Sequence, residues 1–348
     1  MDNSSSHPFI KENVDIIKDI YAHPDKATIK EEIKYNKDSF ISTLHTKYNT
    51  STNVVKSEII DSFIEHDNII YLIKHLKIDN TKSKPILINQ KKYNDPFAPP
   101  INEDMLITDD FLSLNYHRVM LTKFPLFANQ LLLVSREFHS QYSHLTFENI
   151  RDCILLNNII DGFGFFNGGM KAGASQPRKH LQCVPYSSLP KQNIALFDYI
   201  NKGNDLSLLL SIENICSIYS MNILDRVGKK NIMVKFTDDF SELIKKGDTK
   251  VFDIVYRLYI TIMKMLIGVD VEKEKEIKSD YSFLLNDKFM FVVMRKENEV
   301  YISEKDKENG LFINLNSLAF YFIIVSRTQE QIDEMKQGDI IKDVLSKL

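Results

Sequence analysis

Cysteine is scarce: Cys153, Cys183 and Cys216 are the only three in 348 residues, and no two form a CxxC pair. That spacing excludes a disulfide scaffold and a cysteine-rich zinc site. An excess of one charge is also missing, because 44 basic residues against 47 acidic ones leave a net charge of −3. A general nucleic-acid coat needs a clear basic surplus, so that class is set aside. Long apolar runs are absent as well. The longest clean one, Leu318 to Val325, has eight residues, whereas a bilayer span needs about 20. The opening MDNSSSHPFIKEN lacks the basic-then-apolar pattern of a signal peptide. The expectation is a cytoplasmic globular protein without membrane or nucleic-acid partners. Apolar residues make up 43% of the chain, enough to bury a sizeable core.

Residues 1–50 are polar, and Ile10, Val14, Ile17 and Tyr21 recur at helical spacing. They read as an N-terminal helical extension packed on the main body. Val55, Ile59, Ile60 and Phe63 suggest a further helix near 54–66, and Ile69 to Ile73 a strand. Residues 76–104 form a connector rich in lysine and proline. Strands are expected at 116–121, 130–134, 163–166 and 181–186, with a helix over 146–160 that Thr146 caps. Further on, 249–268 reads as a long amphipathic helix. YSFLLN and FMFVVMR read as a hairpin turning at Asp287-Lys288, and 328–346 as short helices. No repeat is visible, and the mixed order without a strict βαβ rhythm favours an α+β fold with a mainly antiparallel sheet.

Glycine is sparse too, yet five of the 11 glycines fall in 162–173. That clustering marks backbone that turns tightly or approaches a ligand. The loop NGGMKAGASQ offers backbone N–H groups, small side chains and Lys171, which suits phosphate oxygens. Neither GxxxxGK[ST] nor GxGxxG is present. The segment directly after the loop is more telling. Arg178, His180 and Gln182 alternate along an expected strand and so share one face. Neutral imidazole is a good nucleophile toward phosphorus, and here it has a guanidinium and a carboxamide beside it. Cys183 points the other way. His117, His139 and His144 show no metal-ligand spacing and read as structural.

GFFNGGMKAGASQPRKHLQ resembles the core of the diadenosine tetraphosphate phosphorylases, or ATP adenylyltransferases, of the histidine-triad superfamily, whose pattern ends SG-x-S-x-x-HKHLQ. VMLTKFPLFANQLLLVSREFHSQ resembles that family's LLLNKFPVxxxHxLLVTxEFxxQ, and KSKP with YNDPFAPP resembles its KKP and NPFLPP. YSFLLNDKFMFVVMRK and INLNSLAFYFIIVSR resemble its C-terminal segments more loosely. The likeness covers about residues 70–330. It implies a histidine-triad-like, mainly antiparallel sheet flanked by helices. One catalytic domain would fill 51–348, with a C-terminal adenylyltransferase region from about 205.

The implied chemistry is cleavage of diadenosine tetraphosphate by inorganic phosphate into ATP and ADP, through an adenylyl-histidine on His180. Gln182 would bond the transferred phosphate. Lys84, Thr122, Lys123, Asn167, Arg178 and the Gly173-Ala174-Ser175-Gln176 turn would hold nucleotide and phosphates. Asn316, Ser317, Leu318, Ile323 and Arg327 would lie by the second nucleotide. Leu318 and Ile323 also read as plain core. The implied partners are small molecules: dinucleoside polyphosphate, ATP, ADP and phosphate. No cofactor is expected to be tightly bound; a divalent cation such as Mg would arrive with the polyphosphate.

Three positions depart from the family pattern. Arg178 stands for the first histidine of HKH, Gln130 for a histidine and Thr122 for an asparagine. Gln182 favours transfer to phosphate, because a carboxamide cannot activate water by taking its proton. Two alternatives stay open: a phosphate-independent hydrolase, and a catalytically weakened nucleotide-binding relative that Arg178 would produce.

Overall fold

The computed structural model describes residues 8–76, 95–190, 199, 203, 205–274, 279–308 and 312–347. Its centre is a ten-stranded sheet. The strands lie in the order β3 (Leu106–Thr108), β4 (His117–Leu121), β5 (Leu131–Ser135), β7 (His180–Pro185), β6 (Gly162–Gly168), β11 (Tyr281–Leu285), β12 (Phe289–Met294), β10 (Asn231–Phe236), β9 (Cys216–Met221) and β8 (Leu206–Ile212). Every pairing in it is antiparallel. The fold is therefore α+β with a mainly antiparallel sheet, as expected from the chain's irregular alternation.

One face of this sheet is covered by helices α1 (Pro8–Ala22), α3 (Phe147–Ile160) and a long helix at Lys250–Ile267, whose apolar sides join the strands in one core. Thr146 caps α3 as anticipated: its Oγ1 accepts the Asn149 N–H, and Asn149 Oδ1 accepts the Thr146 N–H in return. Close packing of α3 explains Gly164, where a Cβ would sit 2.3 Å from Cys153 Sγ. The other face carries a second core under a three-stranded sheet of β1 (Ile59–His66), β2 (Ile69–Leu76) and β15 (Ile323–Ser326), together with the turn Ser317–Tyr321. A short antiparallel pair, β13 (Glu299–Val300) with β14 (Ile313–Asn314), leads into that turn.

The helix expected near 54–66 is a strand instead. β1 pairs with β2 across Asp67 and Asn68, which have φ of 51° and 59°. Two successive left-handed residues make the tight turn that suits hairpin twist, and this pairing overrides the apparent helical spacing. The neighbouring helix lies earlier, α2 at Lys37–Thr50, where Asn36 Oδ1 accepts the Ser39 N–H at 2.9 Å. Among the described residues no helix is long and apolar enough to cross a membrane.

Candidate active site

His180 opens β7, between β5 and β6. Val134 lies opposite His180, and Gln182 faces Leu132 on one side and Phe165 on the other. Strand alternation sends Leu181 and Cys183 into the helix-side core, where Cys183 meets Cys153. His180 and Gln182 thus face away from α3.

Three contacts fix the histidine. Its backbone N–H donates to Gln141 Oε1 at 2.9 Å, while Gln141 Nε2 donates to the Asn167 carbonyl at 2.9 Å and to the His180 carbonyl at 3.3 Å. One buried carboxamide therefore locks β7 to β6. The ring Nδ1 lies 2.9 Å from the Arg178 carbonyl, so Nδ1 carries the hydrogen and Nε2 the lone pair. The Phe97 ring lies 5.3 Å from the imidazole, centre to centre, at 52°. Burial pushes the His180 pKa below its usual 6.5, opposed by the Arg178 carbonyl and the charge of Asp95. A neutral ring with an available Nε2, which makes no hydrogen bond among the described residues, has the form a nucleophile requires.

Gln182 Oε1 accepts from Gln130 Nε2 at 2.8 Å, and Gln130 Oε1 accepts the Leu126 N–H at 2.9 Å. This relay orients the Gln182 carboxamide and leaves its NH2 without a hydrogen bond among the described residues. Thr122 and Lys123 lie in the β4–β5 connection. Thr122 Oγ1 is buried without a partner among the described residues, and the exposed Lys123 Nζ stands over the Phe124 ring. Lys84 lies outside the described residues.

The glycine loop differs from expectation. The N–H groups of Ala172, Gly173 and Ala174 close on Gly169 and Met170 carbonyls, and that of Lys171 donates to Asp280 Oδ2. A short 3-10 turn consumes the donors of its middle, so among the described residues uncommitted N–H groups remain at its entrance, Gly169 and Met170, and past its end, Ser175 and Gln176. Gly173 has a φ of +91°, and a Cβ there would lie 2.9 Å from Asn316 Cβ. The loop thereby abuts the C-terminal Asn316-Ser317 turn. Ser317 N–H donates to Asn167 Oδ1 at 2.9 Å, and Ser317 Oγ donates to the Phe166 carbonyl at 2.8 Å. Asn316 Oδ1 caps the turn through the Leu318 N–H.

Asn167, Gly173, Asn316 and Ser317 are therefore brought together. Leu318 and Ile323 are wholly buried in the second core, at 0% and 1% exposure, as their residue types allowed. Arg327 lies just past β15, with its guanidinium over Phe312 and its N–H on Gln331. Arg178 is held by Asp95 and by two backbone carbonyls, with only NH2 lacking a hydrogen bond among the described residues.

Sequence reasoning assigned no role to Asp95, Phe97 or Gln141. Gln141 ends the FHSQ motif, and Asp95 and Phe97 sit in DPFAPP. Their motif positions were the available signal; their contacts with residues some 40 to 80 positions away were not.

The family model of the Ap4A phosphorylase N-terminal domain matches residues 31–199, and that of the ATP adenylyltransferase C-terminal domain matches 221–348. The chain is 23% identical over 269 residues to diadenosine 5',5'''-P1,P4-tetraphosphate phosphorylase 2 of Saccharomyces cerevisiae, spanning 73% of this chain and 75% of that protein. Protein APA1 of the same yeast is 22% identical over 288 residues, or 79% of this chain and 81% of APA1. The crystal structure of yeast Ap4A phosphorylase Apa2 in complex with Ap4A superposes with a TM-score of 0.67 at 19% identity, over 90% of this chain and 98% of that one. The complex of Apa2 with AMP gives 0.65 at 18%, over 91% and 97%. At these identities the structural likeness establishes the fold.

Proposed function

The chain belongs to the Ap4A phosphorylase (ATP adenylyltransferase) family, and from that premise we propose that it cleaves diadenosine tetraphosphate with inorganic phosphate to give ATP and ADP. The observation that carries this reading is the His180 ring, with Nδ1–H donated to the Arg178 carbonyl and Nε2 unengaged.

In the first step Nε2 attacks the α-phosphorus. An N–P bond forms as the bond from phosphorus to the bridging oxygen breaks, and ATP leaves with that oxygen and its electron pair. In the second step an oxygen of inorganic phosphate attacks the same phosphorus. The N–P bond breaks, its electrons return to Nε2, and ADP is released. Nδ1 keeps its proton throughout, so the ring serves as nucleophile and leaving group without a separate base.

The Gln182 NH2, oriented by Gln130, supports a role in bonding the transferred phosphate where charge develops. Lys123 and Lys84 are the cationic groups proposed for the polyphosphate; Arg178, whose Nε and NH1 are spent on Asp95 and backbone carbonyls, is left to a positioning role. Asn167, the Gly173-Ala174-Ser175-Gln176 turn, Asn316 and Ser317 are proposed to cradle nucleotide. Leu318 and Ile323 form the apolar floor behind that turn, and Arg327 a peripheral contact.

The test is mass spectrometry of the intact protein after brief exposure to diadenosine tetraphosphate without phosphate. One adenylate on His180, absent in His180→Asn and discharged as ADP on adding phosphate, is the expected result. Discharge of the label as AMP at a rate indifferent to phosphate would make the enzyme a hydrolase, and nucleotide binding without any label would make it a binding protein.

A further inference from the structure

The Arg178 side chain is turned toward the protein itself. Nε donates to Asp95 Oδ2 at 2.8 Å, and NH1 donates to the carbonyl oxygens of Arg136 at 2.8 Å and Ser135 at 3.2 Å. The two charged side chains are 7% and 15% exposed. A planar guanidinium engaged on several sides has little freedom, and it restrains the backbone that carries it. That backbone bears the carbonyl that receives His180 Nδ1–H.

Asp95 reaches the histidine by a second route. Its Oδ1 accepts the Phe97 N–H at 3.0 Å, and its carbonyl accepts the Ala98 N–H at 3.1 Å. This self-bonded turn presents the Phe97 ring to the imidazole. The two oxygens of one carboxylate therefore govern two neighbours of the nucleophile. One acts through Arg178 on the hydrogen-bond acceptor, and the other acts through Phe97 on the wall beside the ring.

We propose that Asp95 and Arg178 form a paired positioning unit, which sets the tautomer and aim of His180. The family motifs NPFLPP and HKHLQ carry asparagine and histidine at these two positions, neither of them a fixed charge, where this chain carries opposite charges. Changing one alone would leave a largely buried charge without its partner, so the two positions are expected to vary as a pair. The inference rests on the adenylyl-transfer reading of His180.

The experiment compares Asp95→Asn, Arg178→His and the double variant carrying both. Three quantities are read: the single-turnover rate of His180 adenylylation at saturating diadenosine tetraphosphate, the affinity for AMP, and the 15N signals of the His180 ring. Each single variant is expected to slow adenylylation about tenfold or more, with AMP affinity within about threefold of the wild type. The double variant is expected to return within about threefold of the wild-type rate, a coupling that independent sites do not give. Arg178→Lys, which keeps the charge and loses the fork, provides a second single variant with the same expected loss if the histidine variant does not fold.

Single losses that multiply in the double variant, or a fall in AMP affinity as large as the fall in rate, would overturn the proposal. The second outcome would make Arg178 a nucleotide ligand. A wild type that takes no adenylate at all defeats the transfer reading instead. The ring signals still judge the pair in that case: Nδ1–H is expected in the wild type and the double variant and is lost in the singles.

Discussion

Replacing Gln141 with methionine tests the site most directly, because the change keeps length and bulk while removing every polar atom of the side chain. Gln141 is 1% exposed, and it alone ties the His180 N–H to the Asn167 carbonyl. Methionine would strip the His180 N–H and the Asn167 carbonyl of their 2.9 Å partner and would also remove the longer 3.3 Å contact to the His180 carbonyl. The two short bonds cost about 1–3 kcal/mol each when one partner is lost, so the loss should be at least about 2–6 kcal/mol. Against a total stability of about 5–15 kcal/mol, that is a large fraction. Urea denaturation reads the loss, and single-turnover adenylylation reads the misplacement of the imidazole. Gln141→Glu sharpens the test. Its carboxylate can still accept from His180 but would face the Asn167 carbonyl with no hydrogen to give, so it should recover stability as falling pH protonates it. A methionine variant that loses less than about 1 kcal/mol and labels at the wild-type rate would refute the clamp.

Gln182→Ala should reduce turnover more than it weakens AMP binding, because its contact strengthens as charge develops; equal losses would contradict that. Lys123→Ala should mainly raise the substrate concentration required, more so at low salt, and unchanged affinity there would count against a phosphate role. Burial holds the His180 pKa below 6.5, so first-turnover labelling should stay level as pH falls to about 6.5; a decline centred above that value would show a charged ring. Burial likewise pushes the Lys179 pKa from 10.5 down to about 7. Between about pH 7 and 10 the unfolded chain therefore holds a proton that the folded chain does not. Stability should rise with pH in that window, by up to about 1.4 kcal/mol per unit. Lys179→Met should flatten the rise, which urea midpoints across the range can establish; parallel profiles would refute it.

The elements with strong local signals could be read from the sequence. Helix 146–160 carried its own cap, the 281–294 hairpin its turn, and the face shared by His180 and Gln182 came from alternation alone. What misled was local pattern decided by distant partners. Val55, Ile59, Ile60 and Phe63 have helical spacing, yet β2 pairs with that segment and makes it a strand. The glycine loop looked rich in free donors because nothing in NGGMKAGASQ reveals a 3-10 turn closing on Gly169 and Met170. Gln141 and Asp95 act on His180 from 39 and 85 positions away, and only folding brings such residues together.

The pairing of β6 with β11 has one more consequence. Five strands from the first part of the chain and five from the second meet at that single seam, and β15 against β2 makes another. The Asn167–Ser317 bond lies across the same divide. Neither half can own the proposed nucleotide cradle, and a ligand lodged there would reinforce both by mass action. Calorimetry of the liganded protein would then trace one shared melting step, displaced upward as a whole, rather than one half outlasting the other.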